Sequence, residues 1–286
     1  MNRLSYADQE TFAGATLDGQ QMPNPGRSSA RRPSRPLRIL HTADVHLESD
    51  IFAAGAQAER TRQDLRQAFA AVIQLANRRQ ADLLLIAGDL FDSNRVTDEA
   101  MAFACNEIAN ALMPVVLIPG NHDAHDESSV YPSFARLGVP KNLCLILDPQ
   151  GQTLEFPQLR ARVWGRAMRE HSTQYRPLEG LAPPVSGWWN IALAHGLFTE
   201  DEDGLRSSRI TAAEIAGSGY DYVALGHVHV FRDLSQGATV AAYSGTPAAA
   251  HSAVDSGSAV HVTCAPETGV TIDVVRLPGR AEVQSE

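Results

Sequence analysis

Residues 82–92 read DLLLIAGDLFD: an apolar stretch that runs without interruption into Gly88-Asp89 and then Asp92. A short continuous apolar run bounded by polar residues fits a strand buried on both faces. Carboxylates at the end of such a strand cost folding energy unless they have partners or a task. The same arrangement recurs outward along the chain. LRILHTADVH (37–46) ends in Asp44 and His46, and PVVLIPGN (114–121) delivers Asn121 and His122. NIALAHG (190–196) ends in His195, and DYVALGH (221–227) leads to His227 and His229.

The intervening segments are helical in pattern. Leu65, Phe69, Val72, Ile73 and Ala76 recur on one helical face. TDEAMAFACNEIANAL (97–112) has Thr97 as an N-cap and acids in its first turn. Later runs, including LCLIL (143–147), TVAAYSG (239–245), AVHVTC (259–264) and GVTIDVVRL (269–277), are strand-like. Alternating strand and helix followed by mostly strand predicts an α/β fold: two packed mixed β-sheets flanked by helices, in one domain over 37–277. Residues 1–36, rich in Ser, Pro, Gly, Gln and Arg, are expected to form a poorly ordered tail, and 278–286 a short C-terminal tail. The segment 165–189 is irregular and is expected to overhang a site.

Bulk composition narrows the function. A formal net charge of −9 argues against a broad basic surface for holding long nucleic acid. It leaves phosphate chemistry open, because bound divalent metals can supply positive charge locally. Cys105, Cys144 and Cys264 are scattered, with no C-x-x-C spacing, and read as apolar fillers in a reducing compartment. No apolar run approaches a membrane span, so the expected location is the cytoplasm, with no membrane partner.

Taken singly, a D-x-H or an H-x-H is most often a solvated turn. Five strands ending in Asp, Asn or His are a different matter, because the carboxyl edge of an open α/β sheet is where ligands bind. Oxygen and imidazole donors without thiolate suit Mn, Fe or Zn. A carboxylate with imidazoles on both sides is what a two-metal hydrolytic centre requires. Asp123 reads as support for a neighbour, Asp126 as surface, and His125 as a loop residue able to contact a substrate phosphate.

The ordered set Asp44-Val45-His46, Gly88-Asp89-Leu90-Phe91-Asp92, Gly120-Asn121-His122-Asp123, His195-Gly196 and Gly226-His227-Val228-His229 resembles the calcineurin-like metallophosphoesterase superfamily. LHTADVHLES, IAGDLFDS, IPGNHD and YSGTP are similar to the nuclease subunits of SbcD-type DNA-repair exonucleases within it. The resemblance implies a four-layer α-β-β-α sandwich carrying two divalent metal ions, manganese first, with iron or zinc as alternatives. Asp44, His46, Asp89 and His229 would hold one metal; Asp89, Asn121, His195 and His227 would hold the other, with Asp89 bridging. His122 would be the catalytic acid at the leaving oxygen, oriented by Asp92, and Tyr243 would lie close to substrate.

The implied activity is hydrolysis of phosphodiesters by a hydroxide bridging the metals, nuclease-like in kind. The alternative is a phosphatase or a small-molecule or cyclic-nucleotide phosphodiesterase on the same centre. A non-enzymatic scaffold is a third class, disfavoured because every expected ligand is present. Only residues 248–286 follow YSGTP, which leaves little room for the DNA-capping region and the segment that binds an SMC-like ATPase in that branch. The expectation is therefore a stand-alone domain acting on short or single-stranded nucleic acid.

Overall fold

The computed structural model describes residues 33–49, 55–200, 207–248 and 256–277. Most of the expected N-terminal tail, 1–32, and the C-terminal tail, 278–286, lie outside the described residues. The last residues before the expected boundary at 36 are tied to the domain. Arg35 donates to the Gln158 carbonyl at 2.7 Å and to Asp82 at 3.0 Å, and its own carbonyl accepts the Trp189 indole N–H at 2.9 Å.

The first sheet is built from β1 (Leu37–Thr42), β2 (Leu83–Ala87), β3 (Val115–Ile118) and β4 (Leu143–Leu145), all parallel. Two antiparallel strands, β13 (Gly257–Ala265) and β14 (Gly269–Leu277), extend it beyond β1. The second sheet has parallel β6 (Ala161–Gly165), β7 (Trp189–His195), β10 (Tyr222–Gly226) and β12 (Val240–Tyr243). Its edges are antiparallel β5 (Gln152–Phe156) and β11 (Arg232–Asp233). A small parallel pair, β8 (Leu197–Phe198) with β9 (Arg209–Ile210), lies apart from both sheets.

Alternation along the strands sorts the core into layers. In β2, Leu84 and Ile86 face the helices, packing with Leu65, Phe69 and Val72 of α1 (Ala56–Arg78), Met101 and Ile108 of α2 (Asp98–Ala109) and Phe134 of α3 (Tyr131–Leu137). Leu83 and Leu85 point the other way, into an apolar layer shared with Trp189, Ile191 and Leu193 of β7. Behind the second sheet, Val223 and Leu225 meet Ile215 of α4 (Ala212–Gly217) and Leu178 of the irregular 166–188 segment. The layers are thus helices, sheet, sheet, then α4 with irregular chain, as the sequence pattern predicts. A polar pair crosses the otherwise apolar middle: His41 of β1 and Tyr222 of β10 meet at 2.8 Å.

Capping explains two helix starts. Thr97 accepts the Ala100 N–H at 3.2 Å, and Thr211 and Glu214 form a reciprocal capping box at the start of α4. Stacked parallel strands point their carboxyl ends the same way, so the polar ends of β1, β2, β3, β7 and β10 gather along one edge.

Candidate metal centre

The loops at that edge interlock before any side chain is considered. Asp44 N–H donates to the Gly88 carbonyl at 3.1 Å, and both Val45 and His46 donate to the Asp89 carbonyl, at 2.8 and 3.0 Å. This path puts left-handed backbone at four non-glycine residues. Asp44, His46, Asp89 and His227 all have positive φ, at 54°, 52°, 53° and 106°, each conformation costing roughly 1–3 kcal/mol. Gly226 permits a close approach between the two sheets, since a Cβ there would overlap the Ala87 carbonyl and crowd His195.

The side chains converge on Asp89, which is 1% exposed. On one side, His46 Nε2 and His229 Nε2 face each other at 3.1 Å, with Asp89 Oδ2 at 3.9 Å from His46. Asp44 completes that group, its ligand oxygen lying within 4.8 Å of the nitrogens of His46 and His229. On the other side, Asn121 Oδ1 lies 2.9 Å from His195 Nε2 and 2.8 Å from His227 Nδ1, and Asp89 Oδ2 lies 3.3 Å from His195. Asp44 also accepts the His227 N–H, at 2.9 and 3.1 Å, which ties the two sheets together at the site.

The outer nitrogens test whether this donor set suits metal ions. His195 Nδ1 donates to the Ala87 carbonyl at 2.8 Å, His46 Nδ1 lies 3.1 Å from the Asp92 carboxylate, and His227 Nε2 lies 3.3 Å from the Ser207 hydroxyl. Each ring is therefore held from outside, and its inner nitrogen is aimed at carboxylate and amide oxygens shared by its neighbours. Ligating histidines are oriented in this manner. Burial works against a charged His195, but the Asp89 charge prevails and raises its pKa to about 9. Burial likewise opposes ionisation of Asp89, yet His195, His46 and His122 hold it well below the usual carboxylate range. His227, buried and beside His195, is pushed down to about 3.

His122 stands at the edge of this group. Its main-chain N–H donates to Asp89 Oδ1 at 2.8 Å, and its ring packs edge-on against His46 with centroids 4.6 Å apart. Its Nδ1 lies 3.0 Å from the Asp92 main-chain carbonyl and 3.6 Å from the Asp92 carboxylate. Asp92 thus reaches His122 more closely through its backbone, while its carboxylate faces His46.

Asp123 is fully buried and accepts from Gly120 N–H (2.7 Å), Phe91 N–H (3.2 Å) and the Tyr131 hydroxyl (2.7 Å). It braces the two ligand loops, in line with the supporting role read from sequence. His125 sits in the adjoining loop, its Nδ1 3.1 Å from the Ser129 hydroxyl. Tyr243 is 1% exposed, and its hydroxyl donates to the Gly196 carbonyl and accepts the Phe198 N–H, both at 2.6 Å. It holds the turn after His195. Ser207, which touches His227, stands outside every motif and gives no signal in the sequence. The Thr211-x-x-Glu214 capping signature, which starts α4 close behind it, is by contrast legible there.

The profile described as calcineurin-like phosphoesterase matches residues 37–231, well over half of the chain. The chain belongs to the calcineurin-like phosphoesterase family. Among curated relatives of this calcineurin-like phosphoesterase, the DNA double-strand break repair protein Mre11 of Methanosarcina acetivorans is 36% identical over 112 residues, 38% of this chain and 18% of that protein. The uncharacterized metallophosphoesterase YhaO of Bacillus subtilis is 25% identical over 225 residues, 75% of this chain and 54% of the relative. The SbcD subunit of the SbcCD nuclease of Bacillus subtilis is 27% identical over 273 residues, 79% of this chain and 65% of the relative. The chain thus spans between 18% and 65% of the length of these curated relatives. The fold is shared with TT1561 of Thermus thermophilus, whose crystal structure superposes with a TM-score of 0.52 at 13% identity, covering 85% of this chain and all of the other. Family membership and the nuclease names among the relatives support a metal-dependent phosphoesterase. No described helix is long and apolar enough to cross a membrane.

Proposed function

We propose that the chain is a dinuclear metal-dependent phosphodiesterase, nuclease-like in kind, acting on short or single-stranded nucleic acid in the cytoplasm. The carrying observation is that His46, His195 and His227 are each held at the outer nitrogen while their inner nitrogens face Asp89 (His46, His195) and Asn121 (His195, His227). Asp44, His46, Asp89 and His229 would hold one cation; Asp89, Asn121, His195 and His227 would hold the second. When bound, two divalent cations neutralise phosphoryl oxygens and acidify a water molecule enough to serve as nucleophile near neutral pH. Manganese fits a set rich in imidazole and carboxylate and free of thiolate.

The chain's own groups supply the rest. Asn121 contributes a neutral oxygen, so the centre accumulates less negative charge before an anionic substrate arrives. His122 directs its Nδ1 at the Asp92 carbonyl, which leaves Nε2 to carry a proton to the departing alkoxide. Its main-chain N–H holds the His122 backbone against Asp89. The Asp92 carboxylate positions His46 and lies 3.6 Å from His122 Nδ1, the nitrogen other than the proposed proton donor.

The test is hydrolysis of bis(p-nitrophenyl) phosphate with added Mn²⁺, compared with p-nitrophenyl phosphate and with a labelled oligonucleotide. Manganese-dependent turnover that prefers the diester, with shortening of the oligonucleotide, is expected. Preference for the monoester would favour the phosphatase reading, and diester turnover without oligonucleotide cleavage would favour a small-molecule phosphodiesterase.

A further inference from the structure

The irregular 166–188 segment passes along one flank of the metal centre, and hydrogen bonds secure it there. The Met168 carbonyl accepts the His125 N–H at 2.7 Å, beside the Asn121-His122 loop. Three residues on, His171 Nε2 lies 2.8 Å from the Ser207 hydroxyl, and the His171 ring stands 5.1 Å from that of His227. The Ser172 carbonyl accepts the Ser208 hydroxyl at 3.1 Å. Residues 168–172 thus span the site from the His122 loop to the His227 loop. Within the span, Glu170 is engaged by the Ser172 hydroxyl at 3.0 Å, whereas Arg169 is exposed and has no ion pair among the described residues. Its charge reaches His125, which burial first and Arg169 second push below its ordinary pKa.

A second flank, beside Asp92, differs in charge. Beside Asp92 lies an open cavity of about 480 Å³ lined by Glu48, Glu59, Glu99 and Asp92 as well as Arg62, Arg66 and Arg95. Arg66 is closed in pairs with Glu48 (2.7 Å) and Glu99 (3.0 Å), and Arg62 is paired with Glu59 (3.2 Å). Arg95 there is exposed and without an ion pair among the described residues, but an anion entering the cavity would also meet four carboxylates. On the 168–172 side, the exposed Arg169 has no ion pair among the described residues.

We propose that residues 168–172 are the substrate-recognition flank of the centre, and that Arg169 holds a second phosphate of the substrate, next to the scissile one. This rests on the phosphodiesterase reading above and narrows it to substrates with at least two phosphates, such as short oligonucleotides. A guanidinium suits the role because it is always charged and forks onto phosphate oxygens.

Two probes separate this contact from general damage: bis(p-nitrophenyl) phosphate, with one phosphate, and a 5′-phosphorylated thymidine dinucleotide, with two. For Arg169→Gln the KM for the dinucleotide should rise about 10-fold or more, the usual loss for one charge-assisted contact. Its kcat, and both constants for the aryl diester, should hold within about 2-fold. Binding of a labelled phosphorothioate trinucleotide, which resists cleavage, gives a readout independent of turnover. The slope of log K against log salt should fall by about 0.7 for one lost phosphate contact on a single strand. Arg95→Gln, on the other flank, should change neither. Equal losses on both substrates, an unchanged salt slope, or a larger effect at Arg95 would overturn the assignment to Arg169. Failure of the wild-type protein to hydrolyse the aryl diester with any divalent metal would overturn the phosphodiesterase reading itself, and this inference with it.

Discussion

Replacing Asp123 by alanine separates a strut from a ligand. The carboxylate is fully buried and receives three donors: Gly120 N–H, Phe91 N–H and the Tyr131 hydroxyl. Each donor left unpaired in the interior costs about 1–3 kcal/mol. Against that sum stands the relief of removing a buried acid whose pKa is raised, by burial first and by the Asp89 charge second. A net loss of about 2–4 kcal/mol is expected. With a urea slope near the top of the usual ~1–3 kcal/mol/M, the unfolding midpoint of the metal-free protein should fall by about 1 M. Tyr131→Phe, which removes one donor, should cost about 1 kcal/mol. The pair should couple, because once Asp123 is gone the hydroxyl has no carboxylate to meet. Metal stoichiometry, measured by elemental analysis, should survive in Asp123→Ala. A midpoint that barely moves, together with loss of bound metal, would refute the bracing role and place Asp123 in the ligand set.

Three further outcomes are expected. Asp89→Ala should empty both metal positions, from about two ions per chain towards none; a retained pair would contradict the bridging assignment. His122→Ala should keep its metals and lose about 10²–10⁴-fold in turnover for substrates with poor leaving groups, with less effect on aryl esters. In the metal-free protein the His195 pKa is raised from 6.5 to about 9. Its contribution to stability is therefore complete below about pH 6.5 and lost as pH rises through about 9. The melting temperature of the chelator-treated protein should fall across that window while metal affinity rises, since a cation needs the neutral ring; scanning fluorimetry and metal titration over pH would show it. A flat or rising melting temperature would count against a charged His195.

The fold's central strands are legible in the sequence because β2, β3 and β10 are buried throughout as apolar runs, and β1 and β7 are largely so, broken by Arg38, His41 and Asn190. Their polar ends are legible for the same reason, since each stands where such a run stops. The edge strand β5, Gln152–Phe156, mixes polar and apolar residues with much of its length exposed, so it carries no comparable signal. Which strand joins which sheet is not written in periodicity, because the order β11-β12-β10-β7-β6-β5 depends on long crossovers. Within the site, residue type announces the candidate ligands, but contacts made across loops leave no trace in spacing. Ser207 meets His227 from a separate segment, and Asp92 reaches His122 more closely through its main chain, which any residue could supply. Tyr243 shows the converse. Its neighbourhood is legible, whereas its burial depends on a turn that sequence does not specify.

The left-handed backbone at Asp44, His46, Asp89 and His227 bears on how such a centre originates. Apart from glycine, the residues that best tolerate positive φ are Asn, Asp and His, several-fold enriched there for steric reasons alone. These are also oxygen and nitrogen ligands for divalent cations. A strand-to-loop path that demands this conformation therefore stocks its turns with ligating side chains before any ion is present to select them. On such a backbone, the step from a plain sheet edge to a metal site is shortened by geometry, and the first mutations along that route need not wait for catalysis to be useful.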